Sequence, residues 1–152
     1  MTKMTKIRIT KMFEFEMAHA LHNYDGLCRN IHGHTYKLSV TVIGEPEKNT
    51  ESTKLGMVLD FGLLKNIVKP NIVDKYDHSV LLSNNEDTRY FEQENMLFKR
   101  IHIVDFQPTA ENMVIYFADI IKPLLPENIE LFSLKLHETT NSFAEWFASD
   151  QI

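Results

Sequence analysis

Two stretches of this chain alternate apolar and polar residues with a period of two, and that alternation limits its fold more than any other feature. In residues 7–19, Ile7, Ile9, Phe13, Phe15, Met17 and His19 share one parity, and Arg8, Glu14 and Glu16 share the other; Lys11 interrupts the apolar face. In residues 34–42, Tyr36, Leu38, Val40 and Val42 alternate with Lys37, Ser39 and Thr41. Successive side chains of a strand point to opposite faces, so each stretch is predicted as a half-buried strand. The connection, NYDGLCRN, supplies the turn residues Asn, Asp and Gly. Two neighbouring strands joined in this way most simply pair antiparallel.

Parity also decides where the histidines go. The chain has seven histidines and one cysteine, and residues 19–34 hold Cys28 together with His19, His22, His32 and His34. His19 ends the first strand on its inward side; His32 and His34 open the second on the same side. Antiparallel pairing sets the end of one strand beside the start of the next, so three imidazoles converge. An i, i+2 histidine pair with a third across the hairpin suits tetrahedral zinc, at Zn–N distances of about 2.0–2.1 Å, with one coordination position left open. Two other readings keep the same geometry: three hydrogen-bonded core histidines without a metal, or a closed structural site with Cys28 as fourth ligand. His22 lies in the turn without a parity argument and reads as a surface residue.

Three further residues bear on chemistry. Cys28 lies in the loop over the histidines, where a thiol beside a bound cation favours its thiolate; otherwise it is a small hydrophobe. In YDHSVLL, Asp77 precedes His78, and a carboxylate beside an imidazole can fix its tautomer for acid–base work; helix-end polar residues look the same. Glu138 shares parity with Phe132, Leu134 and Leu136, which points it inward, where a carboxylate can hold two N–H groups of a heterocycle. The alternative for Glu138 is a strand-end charge in solvent.

The remaining elements follow from periodicity. Leu64, Ile67 and Val68 recur at helical spacing behind Asp60 as cap, and Pro70 should kink or divide that helix. A second helix is predicted over 109–122, between Pro108 and Pro123, and strands over 132–138 and 142–148. The order ββααββ makes an α+β domain spanning 1–152, an antiparallel four-stranded sheet with two helices on one face and an added hairpin at 88–107. With 43% apolar and 24% charged residues the chain is an ordinary globular one. No run reaches the roughly 20 apolar residues of a membrane span. The N-terminus lacks the apolar core of a signal peptide. A single cysteine fits a reducing compartment, so a cytoplasmic protein is expected. A net charge of −5 without a basic run argues against nucleic acid as partner.

Six motifs in order, FEMAH, CRNIHGH, GMVLDFGLLK, YDHSVLL, PTAEN and LHET, resemble the 6-pyruvoyltetrahydropterin synthase / 6-carboxytetrahydropterin synthase family over nearly the whole chain. The resemblance implies the tunnelling fold (T-fold), whose subunit sheets join into a barrel as a homotrimer, often stacked as a homohexamer. It implies Zn2+ on His19, His32 and His34, Cys28 as catalytic base, Asp77 and His78 as a dyad arriving from a neighbouring subunit, and Glu138 as anchor of the pterin ring. The spacing C-x-x-x-H-G-H is similar to the 6-carboxy branch. In that branch 7,8-dihydroneopterin triphosphate becomes 6-carboxytetrahydropterin, acetaldehyde and triphosphate, on the way to queuosine and other deazapurines. The 6-pyruvoyl branch eliminates triphosphate without carbon–carbon cleavage, and a non-catalytic zinc-stabilised binding module is a third reading. Neither branch uses a nicotinamide or flavin, in keeping with the lack of a GxGxxG fingerprint. Arg29 and Lys37 lie near the motifs, but no residue is assigned to the triphosphate. The long segment 83–107 departs from the family pattern.

Overall fold

A computed structural model describes residues 3–91 and 96–152. The two alternating stretches form β1 (Ile7–His19) and β2 (His32–Gly44), paired antiparallel along their whole length from Ile7 opposite Gly44 to His19 opposite His32. Parity holds along β2: Tyr36, Leu38, Val40 and Val42 are all fully buried.

Asp60 caps α1 (Phe61–Val68), its Oδ1 accepting the Gly62 N–H at 2.7 Å. Pro70 divides this helix as expected. Proline brings no N–H and its ring crowds the preceding turn, so the chain widens into a π turn, Lys69–Val73, and resumes for one turn, Asp74–Tyr76. The second helix, α2 (Ala110–Ile121), is capped by Thr109, whose Oγ1 accepts the Asn112 N–H at 3.2 Å. Pro123 sits in the 3-10 turn Lys122–Leu124 that ends it. Leu64 and Val68 of α1 and Met113, Phe117 and Ile121 of α2 pack with the inward residues of the sheet in one apolar core.

Among the described residues the sheet has six strands, in the order β4-β3-β1-β2-β5-β6. Strands β5 (Glu130–His137) and β6 (Phe143–Phe147) continue the antiparallel half beside β2. Two extra strands, β3 (Ser79–Ser83) and β4 (Ile101–Val104), extend the other edge, and the second of them comes from the 88–107 segment. Their pairing is parallel, β3 to β1 and β4 to β3, so the sheet is mixed. Residues 92–95 of that segment lie outside the described residues.

One inward assignment needs correction. Phe132 does not share the core face with Leu134 and Leu136. The register of β5 against β2 shifts between Thr41 and Val42, which sets Leu131 opposite Val42 and buries Leu131 instead. An unpaired residue at such an irregularity reverses side-chain parity beyond it. Phe132 is left on the other face, where Arg8 lies 3.8 Å from its ring centroid and Phe147 packs edge-on at 5.9 Å.

Candidate metal centre and acid–base pair

The register that ends β1 opposite the start of β2 brings His19, His32 and His34 together. Their ring centroids form a nearly equal triangle, 4.7, 5.1 and 4.9 Å apart. His19 is buried, with 1% of its surface exposed. Its Nδ1 lies 2.6 Å from the Pro108 carbonyl, and His32 Nδ1 lies 2.7 Å from the Asn30 carbonyl. A carbonyl can only accept, so each of these nitrogens carries the proton and each Nε2 presents a lone pair. All three Nε2 atoms are buried and, among the described residues, lack a hydrogen-bond partner. An outer hydrogen bond that fixes the tautomer and frees the inner nitrogen is how metal-binding histidines are held.

Glu138 completes the group: the four potential ligand atoms of His19, His32, His34 and Glu138 lie within 4.8 Å of one another. Glu138 Oε1 is 3.0 Å from His34 Nε2 and 3.5 Å from His19 Nε2. A carboxylate set against imidazole lone pairs repels them unless a proton or a metal ion lies between, so this donor set fits a cation. With a proton between them, His19, and after it the charge of the other two imidazoles, hold the Glu138 carboxyl below the usual range against the opposing effect of burial. Burial lowers the pKa of His34, with Glu138 opposing it, so His34 favours the neutral form that a metal needs. The core histidine alternative leaves the buried His32 Nε2 without a partner among the described residues. Cys28 is not a member of the group; it sits half-buried in the 3-10 turn Leu27–Arg29, its carbonyl held by the Leu21 N–H at 2.9 Å.

Asp77 and His78 form a contact pair, Oδ2 to Nδ1 at 3.0 Å. Their turn is tied to β1 through the backbone of Glu16, whose N–H donates to Asp77 Oδ1 at 2.8 Å and whose carbonyl accepts the His78 N–H at 2.6 Å. The Glu16 N–H keeps the Asp77 carboxyl below the usual range, with His78 and Arg100 adding to it. The His78 side chain is 75% exposed. It borders an open cleft of about 340 Å³ together with His34, Gly33, Thr35 and Glu16. A second cleft, of about 490 Å³, runs from Gly33 and His34 past Lys37 to Glu138, Thr139 and Thr140. A Cβ at Gly33 would meet only the Met17 carbonyl, at 3.8 Å. The chain's own packing therefore does not demand glycine there; its bareness keeps both clefts open.

Several supporting groups take on a role only in the structure. The Pro108 carbonyl is aimed by Gln107, which exchanges two hydrogen bonds with the His22 backbone, each at 2.9 Å, and by Asn112, whose Nδ2 holds the Gln107 carbonyl at 3.0 Å. Asn112 thus gives the PTAEN motif its reason. His22 is no ligand; its Nδ1 lies 3.3 Å from Glu86 Oε1. Tyr36, read as core, is fully buried with its ring edge-on to His34 at 5.6 Å and a hydroxyl without a partner. Burial pushes that phenol far above its ordinary pKa.

Fold and site together define an α+β protein whose histidine cluster could bind a metal between two strands. Comparison with known proteins gives the family. Residues 8–148 match the family described as 6-pyruvoyl tetrahydropterin synthase. The 6-carboxy-5,6,7,8-tetrahydropterin synthase of Haemophilus influenzae is 37% identical over 141 residues, covering 91% of this chain and 97% of that protein. Its counterpart from Rickettsia conorii is 34% identical over 141 residues, covering 91% and 99%. The structure of Caenorhabditis elegans 6-pyruvoyl tetrahydropterin synthase superposes with a TM-score of 0.68 at 24% identity, covering 97% of this chain and 99% of that one. An uncharacterized protein from Wolinella succinogenes gives a TM-score of 0.78 at 20% identity, covering 95% and 99%. The fold is the tunnelling fold, and the chain belongs to the 6-pyruvoyl tetrahydropterin synthase family of enzymes.

Proposed function

We propose that this chain is a zinc-dependent 6-carboxy-5,6,7,8-tetrahydropterin synthase, a carbon–carbon lyase that converts 7,8-dihydroneopterin triphosphate and one water to 6-carboxytetrahydropterin, acetaldehyde and triphosphate. The observation that carries the reading is the convergence of three buried Nε2 atoms and the Glu138 carboxylate on one spot. Relatives in several organisms that bear the 6-carboxy name support the branch, as does the interval from Cys28 to His32.

His19, His32 and His34 would hold the ion. Zinc there would supply Lewis acidity, making the side-chain hydroxyls of the substrate more acidic. Cys28, outside the ligand set, is free to take a carbon-bound proton of the side chain. Asp77 orients His78, which relays protons. Proton shifts between side chain and ring move the reducing equivalents internally. Glu138, at the head of the larger cleft, would accept two N–H donors of the pterin, beside the hydroxyls of Thr139 and Thr140. The exposure of His78 supports a role for the dyad in the site of a neighbouring copy, in a homotrimer or homohexamer.

The deciding experiment is incubation of the zinc-loaded protein with 7,8-dihydroneopterin triphosphate. Acetaldehyde appearing in step with triphosphate is expected. Triphosphate with a pyruvoyl product and no acetaldehyde would assign the chain to the other branch.

A further inference from the structure

The segment 83–107 departs from the family pattern, and its described residues show what it brings to the dyad. Its strand β4 runs beside β3, with the Val80 N–H donating to the Arg100 carbonyl at 3.0 Å. That sets Arg100 and His102 against the turn where the divided helix ends and β3 begins. Arg100 Nη2 donates to the carbonyls of Asp74 at 3.0 Å, Lys75 at 3.0 Å and Asp77 at 2.8 Å, and Nε reaches the Asp77 carbonyl at 3.2 Å. His102 Nε2 lies 2.9 Å from the Lys75 carbonyl, and its ring packs edge-on to Tyr76 at 5.0 Å. The last carbonyls of a helix have no partner within it. Here one guanidinium gathers them, and one of the three belongs to Asp77 itself.

The turn needs such a hold. His78 has φ of 59°, a left-handed conformation disfavoured for any residue with a Cβ. The Glu16 backbone grips the turn from the β1 side, through both its N–H and its carbonyl. Arg100 closes the other side. We propose that Arg100, delivered by the strand that segment 83–107 adds to the sheet edge, is a positioning residue that holds the Asp77–His78 turn in its exposed, left-handed geometry. Its planar fork suits converging carbonyls, whereas a lysine ammonium is a single point charge. An ordinary helix cap would act on overall stability alone; this one reaches the backbone of the acid–base pair.

The clamp is independent of catalysis, and only its consequence for turnover rests on the dyad reading above. The test compares zinc-loaded wild type, Arg100→Gln and Arg100→Lys by hydrogen exchange and by steady-state kinetics. In Arg100→Gln, exchange at the Glu16 and His78 amides should rise on the order of tenfold, while amides at the centre of β2, such as Val40, stay unchanged. Arg100→Lys should fall between the two. In Arg100→Gln kcat drops with KM held within about twofold. Unchanged exchange at Glu16 and His78, or a uniform rise across the sheet, overturns the proposal. A local rise in exchange with wild-type kcat upholds the clamp and removes the dyad from the chemistry, so the two readings fail separately.

Discussion

A histidine becomes a candidate ligand when its other nitrogen is occupied. His19 and His32 each give Nδ1 to a carbonyl, so the buried Nε2 has nothing left to donate. For His34, burial lowers the pKa and so favours the neutral ring. This has a consequence for the metal-free protein. A folded-state pKa below the unfolded value of about 6.5 means that the unfolded chain takes up the proton first. Stability contributed by neutral His34 is then fully present above about pH 6.5 and is lost as the pH falls from there through the lower folded-state value. His102, also lowered by burial, acts in the same direction. After chelation, the melting temperature should fall between about pH 7.5 and about pH 5.5, and fall less in His34→Gln. Equal acid sensitivity in the two proteins would exclude His34. Asp77 and Glu138 have depressed values, so their contribution is lost only at lower pH, in the carboxylate range.

At the level of elements, each irregularity has a specific physical cause and a consequence for the site. Pro70 widens α1 into a π turn, and the single helical turn after it, Asp74–Tyr76, presents Asp77. The cap of α2 and the side chain of Asn112 steady the Gln107–Pro108 turn, which in turn fixes the His19 tautomer. Outer hydrogen bonds of this kind typically contribute 10–100-fold in metal affinity. Asn112→Ala should therefore weaken zinc binding by about tenfold or more in a competition titration with a chelating dye, with the helix retained by circular dichroism. Wild-type affinity would show that Pro108 holds its position without Asn112. The shift between Thr41 and Val42 has the opposite character: it exchanges Leu131 for Phe132 in the core far from the histidines and leaves them untouched.

For the whole molecule, Asp77 and His78 lie on an exposed turn that borders the same cleft as His34. Among the described residues no helix is long and apolar enough to cross a membrane. The proposed sharing of sites between copies can be tested by mixing. Cys28→Ala and His78→Ala should each keep zinc and lose turnover. Dissociated, combined in equal amounts and reassembled, they should regain about a quarter of wild-type activity, since a site then needs an intact thiol from one copy and an intact imidazole from its neighbour. No recovery in mixed assemblies would place both groups of a site on one chain.

The sequence by itself determined β1 and β2, the capped helices and the meeting of three histidines. Each rests on short-range periodicity or on a single turn, where neighbouring residues set the geometry. The parity of residues 7–19 and 34–42 sufficed to bring His19 to His32. Only the tertiary structure decided the parallel pairing of β3 and β4, the burial of Leu131 in place of Phe132, the proximity of Glu138 to the imidazoles and the hold of Arg100 and Glu16 on the dyad. These depend on backbone carbonyls and N–H groups meeting across long separations in the chain. Every residue carries the same backbone groups, so the letters of the sequence do not say which of them will meet.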